Sequence, residues 1–163
     1  MSVLTKLFEH NNWANILVIE ACYALTGEQL DAKPWTDSEW SVRQTLSHIV
    51  ESQDRYLQLL TLPPEARSFD SLPFAELRES AIRTGDALLQ LAHDENRDQL
   101  GKRLRTTDGY FVEPWLVMVQ AINHGTEHRR QICGMLRKLG VAPPQVDGWA
   151  FGEEERAFGP VAV

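Results

Sequence analysis

The chain has 163 residues, 43% of them apolar and 24% charged, which excludes disordered and fibrous classes and is enough for one domain, residues 1–163, with an unstapled core. Lys and Arg number 16 against 23 Asp and Glu, for a formal charge of −7. With no long basic run in the chain, neither nucleic acid nor an anionic membrane surface is an expected partner.

The opening stretch Met1-Ser2-Val3-Leu4-Thr5-Lys6-Leu7-Phe8-Glu9-His10 lacks an uninterrupted apolar core and passes directly into a helical pattern, so it does not read as a signal peptide. No stretch approaches the length of a bilayer span, and the expected address is the cytoplasm. Cys22 and Cys133 stand far apart, in neither CxxC nor zinc-ribbon spacing, and read as small core thiols.

From about residue 2 to residue 25, apolar positions at Leu4, Leu7, Phe8, Ala14, Leu17, Val18, Ala21 and Leu25 recur at helical spacing. This is a long amphipathic first helix with Gly27 as its stop, and His10 and Trp13 lie close to its apolar face. A loop over residues 31–40 carries Pro34, Trp35 and Trp40. Ser41 is a natural N-cap for a second helix running to about Leu60, with Val42, Leu46, Ile49, Gln53, Tyr56 and Leu60 facing inward. His48 sits on this helix at the polar margin of that face, among Thr45 and Ser52. Taken alone it reads as a hydrogen-bonded histidine rather than a ligand.

Leu62-Pro63-Pro64 ends the second helix, and Pro73 fits the first turn of a third. The third carries Leu77, Ala81, Ile82, Ala87, Leu88 and Leu91 and ends near His93-Asp94-Glu95-Asn96, with His93 at the surface. Next, Asp108-Gly109 lies between short β-favouring runs, the signal of a hairpin with a two-residue turn. Pro114 opens a fourth long helix that continues to about Leu139 and is stopped by Gly140 and Pro143-Pro144. In the tail, Trp149 and Phe151 are expected to dock on the bundle, and Glu153-Glu154-Glu155 to be solvated. The expected fold is all-α, a four-helix bundle with a short β-hairpin before the last long helix. Its longer linkers allow a crossover, and pattern alone does not fix which helices are parallel.

The chemistry is concentrated in Asn123-His124-Gly125-Thr126-Glu127-His128-Arg129-Arg130 on the fourth helix. Two histidines four apart lie one turn above each other on one face. Val117 and Ala121 precede them on that face, and Ile132, Met135 and Leu139 follow, so the pair interrupts an apolar stripe and is expected to point inward. The spacing alone admits two readings. The imidazoles either hydrogen-bond within the bundle or at its edge, or they share one divalent ion while acceptors hold their other nitrogens. Packing the second helix on the fourth would add His48, and three imidazoles would suit zinc, nickel, iron or another late divalent ion with positions left open. Cys133, nine residues after His124, falls on roughly the opposite side of the helix. Tyr56 and Trp13 could wall such a pocket but read first as core aromatics. His124-x-x-Glu127-His128 also matches the inverted zinc-protease pattern, with Glu127 as general base. No large protease scaffold fits this length, and Glu127 reads as a flanking residue.

Three stretches, LFEHNNWAN (residues 7–15), VRQTLSHI (residues 42–49) and NHGTEHRRQI (residues 123–132), resemble the DinB-like (YfiT-like) family of small bacterial helical proteins. The resemblance runs from the first helix to Trp149. It implies an often dimeric four-helix bundle holding one divalent ion, zinc or nickel foremost, through one histidine of the second helix and two of the fourth, and His48, His124 and His128 stand in those places. It further implies metal-dependent transfer or isomerisation on a small-molecule substrate with a low-molecular-weight thiol such as bacillithiol, mycothiol or glutathione. The family's name carries no implication of DNA binding. The alternative is a non-enzymatic metal- or small-molecule-binding dimeric bundle, which a reaction between a thiol and an electrophile would distinguish.

Overall fold

A computed structural model describes residues 2–35, 39–94 and 103–159. Among them are six helices, α1 (Val3–Tyr23), α2 (Gly27–Asp31), α3 (Val42–Thr61), α4 (Leu77–His93), α5 (Pro114–Lys138) and α6 (Gly148–Glu154), with a hairpin of β1 (Leu104–Arg105) and β2 (Phe111–Val112) before α5. The four long helices form the bundle. α1 packs on α4 and α5, and α3 packs on the same two from the opposite corner.

Each long helix alternates apolar and polar layers, and the order of the layers gives its direction. One apolar cluster takes Val18, Ile19 and Cys22 of α1, Val42, Leu46, Ile49 and Val50 of α3, Leu77 and Ala81 of α4, and Ile132, Met135 and Leu136 of α5. The other takes Phe8 of α1, Leu60 of α3, Leu88 and Ala92 of α4, and Val117, Met118 and Ala121 of α5. Along α1 and α5 the second cluster comes first, whereas along α3 and α4 it comes last. The pairs α1/α5 and α3/α4 are therefore each parallel, and the two pairs run antiparallel to one another. Joining parallel α3 and α4 requires a crossover, and residues 62–76 make it by running back along α3. Ser68 N–H donates to Gln58 Oε1 at 2.8 Å, Phe69 lies under Arg55 at 5.8 Å, and Leu72 N–H donates to Glu51 Oε1 at 3.2 Å.

Between the two apolar clusters lies a buried polar layer to which every long helix contributes. Arg129 of α5, 2% exposed, donates from Nη1 to Asn11 Oδ1 at 2.7 Å and to Asn15 Oδ1 at 2.6 Å. Its Nη2 donates to Thr126 Oγ1 at 3.0 Å. Asn15 Nδ2 then donates to Gln53 Oε1 at 2.8 Å, and Gln53 Nε2 to Thr84 Oγ1 at 2.7 Å and the Ala81 carbonyl at 2.9 Å. Gly125 makes the layer possible, because a Cβ there would sit 2.8 Å from Arg129 Nη1 and 2.9 Å from Asn11 Oδ1.

The sequence expectations hold at Ser41, whose Oγ accepts from Gln44 N–H while Gln44 Oε1 accepts from Ser41 N–H. They need correction elsewhere. Gly27 does not stop the first helix, which ends at Tyr23; Thr26 and Gln29 form a capping box that makes Gly27 the opening residue of α2. Pro73, with ψ 141°, is extended and precedes a 3-10 turn at Phe74–Glu76, so the third long helix starts only at Leu77. Ile82 is 37% exposed, because α4 buries the stripe Leu77, Ala81, Thr84, Gly85, Leu88 and Ala92 instead. The helix ends at His93; Glu95 and Asn96 lie outside the described residues. The hairpin pairs Leu104 with Val112 and Arg105 with Phe111. Its turn is longer than two residues: Thr106 N–H donates to the Tyr110 carbonyl at 2.8 Å around residues 107–109, with Gly109 at φ 91°. Phe151 docks on His10 and Trp13, but Trp149 is 77% exposed and, among the described residues, pairs with the ring of Phe158.

Replacing Arg129 by Leu strips the donor from two buried carboxamide oxygens, each costing about 1–3 kcal/mol when unpaired. Urea unfolding of Arg129→Leu is expected to show a loss of about 2–4 kcal/mol, and Gly125→Ala, which displaces the guanidinium, a loss of at least about 1 kcal/mol.

Candidate metal centre

The rotation of α5 fixes where its histidines go. Gly125 and Arg129 face α1, so His124 and His128, each one position earlier and about 100° around the helix, turn toward α3. There they meet His48, near the middle of α3. His48 Nε2 lies 2.9 Å from His124 Nε2, and the ring centroids are 4.8 Å apart for His48–His124, 4.8 Å for His48–His128 and 4.4 Å for His124–His128. One ligand nitrogen from each ring lies within 4.8 Å of the other two. All three side chains are part-buried, at the margin of the bundle rather than in its centre.

Two imidazole nitrogens 2.9 Å apart cannot both present lone pairs without something positive between them, either a proton or a cation. Nitrogens held about 2.0–2.1 Å from a zinc-sized ion sit about 2.9–3.4 Å from each other, so the His48–His124 spacing suits a shared ion. The donor set suits one as well. Burial, then the neighbouring His128 and His48, push the His124 imidazole down to about 4. Burial first, then His128 and Arg55, lower His48 against a smaller opposing pull from Glu51. Both rings are therefore neutral at pH 7, as a metal ligand must be. His128 Nδ1–H donates to Gln131 Oε1 at 2.9 Å, which fixes its tautomer and leaves Nε2 free to coordinate. The trio could hold a metal ion.

Aromatic rings frame the trio. Trp40 lies 4.6 Å from His48 and stacks on His128 at 6.0 Å between centroids. Tyr56 meets His124 edge-on at 5.7 Å, and burial raises its phenol pKa despite the opposing hydrogen bond with Gln120.

A family model described as the DinB family matches residues 1–157. The chain belongs to the DinB family. No curated protein matches it.

Of the residues singled out from the sequence, this DinB-family structure brings together His48, His124 and His128 and sets Tyr56 against them. Trp13 takes no part: it packs on His10 at 5.9 Å and on Phe151 at 5.4 Å. His10 is occupied elsewhere, its Nε2–H donating to the Val146 carbonyl at 2.9 Å. His93 is exposed at the end of α4. Glu127 is exposed and is not among the three clustered side chains. Cys133 is buried in the same apolar cluster as Cys22. Sequence reasoning passed over two residues of the site. Gln131, three positions after His128, could have been found from the i, i+3 rule. Trp40 had no such signal, because it precedes the Ser41 cap in a loop. No described helix is long and apolar enough to cross a membrane.

The depressed His124 pKa ties metal-free stability to pH. The unfolded chain takes up a proton below about pH 6.5, whereas folded His124 resists it until about 4. The stability this group contributes is therefore complete above about 6.5 and is lost as pH falls toward 4. Thermal melts of metal-free protein should show Tm falling across that window, and His124→Gln should flatten part of the fall.

Proposed function

We propose that His48, His124 and His128 hold one divalent ion, zinc or nickel foremost, and that the protein is a metal-dependent transferase or isomerase using a low-molecular-weight thiol. The observation that carries the reading is the gathering of three ligand nitrogens within 4.8 Å at a part-exposed position. Three protein donors leave coordination positions for a small ligand, the mark of a reactive rather than a structural site. A divalent ion bound there would lower the pKa of a thiol, so that thiolate is available at neutral pH. The chain's own residues supply the rest. Gln131 holds His128 in one tautomer and orientation, while Trp40 and Tyr56 wall the approach and present flat apolar surface to an electrophilic substrate.

A non-enzymatic binding bundle is the second reading. It is favoured by the placement of two cavities, of about 660 and 670 Å³, away from all three histidines. Turnover separates the two readings, because only the enzyme consumes a thiol and an electrophile together.

Elemental analysis of untagged protein purified without chelator is expected to give about one transition-metal equivalent, and His124→Ala to lose most of it while remaining helical. Undiminished metal in that variant would remove the triad from the account. With the ion restored, thiol transfer to an electrophile such as a chlorinated nitrobenzene should require the metal. It should persist in Glu127→Gln, since that carboxylate lies outside the cluster.

A further inference from the structure

The face of α5 turned away from the histidines carries a different chemistry. Thr126, Arg130, Cys133 and Arg137 follow one another at three- and four-residue spacing and, with Arg129, form one wall of a cavity of about 660 Å³. His10 of α1 and the segment 143–148 close the other sides, and the hydrogen bond from His10 to the Val146 carbonyl ties them together. A volume of this size falls in the range of small-molecule sites.

Three arginines lining one cavity stand out in a chain of net charge −7. Five arginines elsewhere are matched with carboxylates, Arg43 with Asp31, Arg55 with Glu51, Arg78 with Glu20, Arg83 with Asp54 and Arg103 with Glu113, while Arg67 is held by backbone carbonyls. Among the described residues no carboxylate pairs with Arg129, Arg130 or Arg137. The acid on the cavity wall, Asp147, uses its Oδ1 to accept the backbone N–H groups of Trp149 and Ala150. Arg129 points its guanidinium at Asn11 and Asn15, so it contributes charge rather than a free donor. Arg137, in the last turn of α5, complements the helix dipole and needs no ligand for that. Arg130, two turns earlier, has neither role. Pro143, Pro144 and Val146 supply apolar surface beside these charges.

We propose that this cavity binds a small organic anion, a carboxylate or phosphate group on a short apolar body, with Arg130 and Arg137 as its hydrogen-bonding hands. The site is separate from the histidine cluster and does not depend on the metal reading.

Titration of phenyl phosphate and of benzoate into full-length protein, each against sodium chloride at matched ionic strength and followed by amide NMR, tests it. Saturable shifts at residues 126–137 and 143–148 are expected, with the preferred probe naming the anion. The double variant Arg130→Gln, Arg137→Gln should weaken the Kd about tenfold or more, since charge-assisted bonds to an oxyanion are lost. Both side chains are exposed, so the variant keeps its fold. The His48→Ala, His124→Ala protein should bind like the parent. A response that does not saturate, an unchanged Kd in the arginine variant, or shifts confined to residues 48 and 124–128 and lost with the histidines would each overturn the proposal.

Discussion

The structure depends on a positive charge buried without a negative one. Arg129 sits where the four long helices meet, and burial lowers its pKa to about 10, which still leaves it protonated at neutral pH. A guanidinium in an apolar interior is tolerable only if its N–H groups find acceptors with good geometry. Here the acceptors are the carboxamide oxygens of Asn11 and Asn15 and the Thr126 hydroxyl, and the chain of bonds continues through Gln53 to Thr84. Apolar layers above and below could slide or rotate at modest cost. A fan of directional bonds to a fixed charge permits one arrangement, and so defines both the height and the rotation of each helix.

The histidine cluster inherits that definition. With Arg129 committed to α1, His128 and His124 have only the α3 side left to face, and the parallel layering puts His48 at their height. The two sides of α5 consequently differ in chemistry. Toward α3 it offers two imidazoles, that of His124 pushed down to about 4, suited to a cation. On the face lining the cavity it offers guanidinium groups, suited to an anion. A single helix separates the two sites, and its central turns carry residues of both.

What was legible in the sequence followed locality. The HxxxH spacing, the Ser41 cap, the apolar stripes and the hairpin are encoded within a few residues of one another, and each is present. The partnership of His48 with the other two could not be read from period alone, since it requires α3 to lie beside α5; the family resemblance supplied what spacing left open. Arg129 was illegible for a physical reason. An Arg-Arg pair in an acidic chain reads as solvated, and its burial depends on asparagines more than 110 residues away. Gly125 went unread with it, because its small size matters only once that guanidinium is in place. Gly27 and Pro73 misled because both residue types serve at starts as well as stops, and neighbouring caps and turns decide which.

The parallel packing of α1 against α5 has a consequence for how the molecule comes together. The polar groups of α1 are made on the ribosome well before their partner on α5. Until α5 is made, Asn11 and Asn15 lack the guanidinium they are bonded to in the folded protein. That one helix brings the charge, a share of both apolar clusters and two of the three imidazoles. The helix that completes the core is thus the one that completes the histidine cluster, and a chain cut short before residue 124 would lack the buried guanidinium and two of the three imidazoles together.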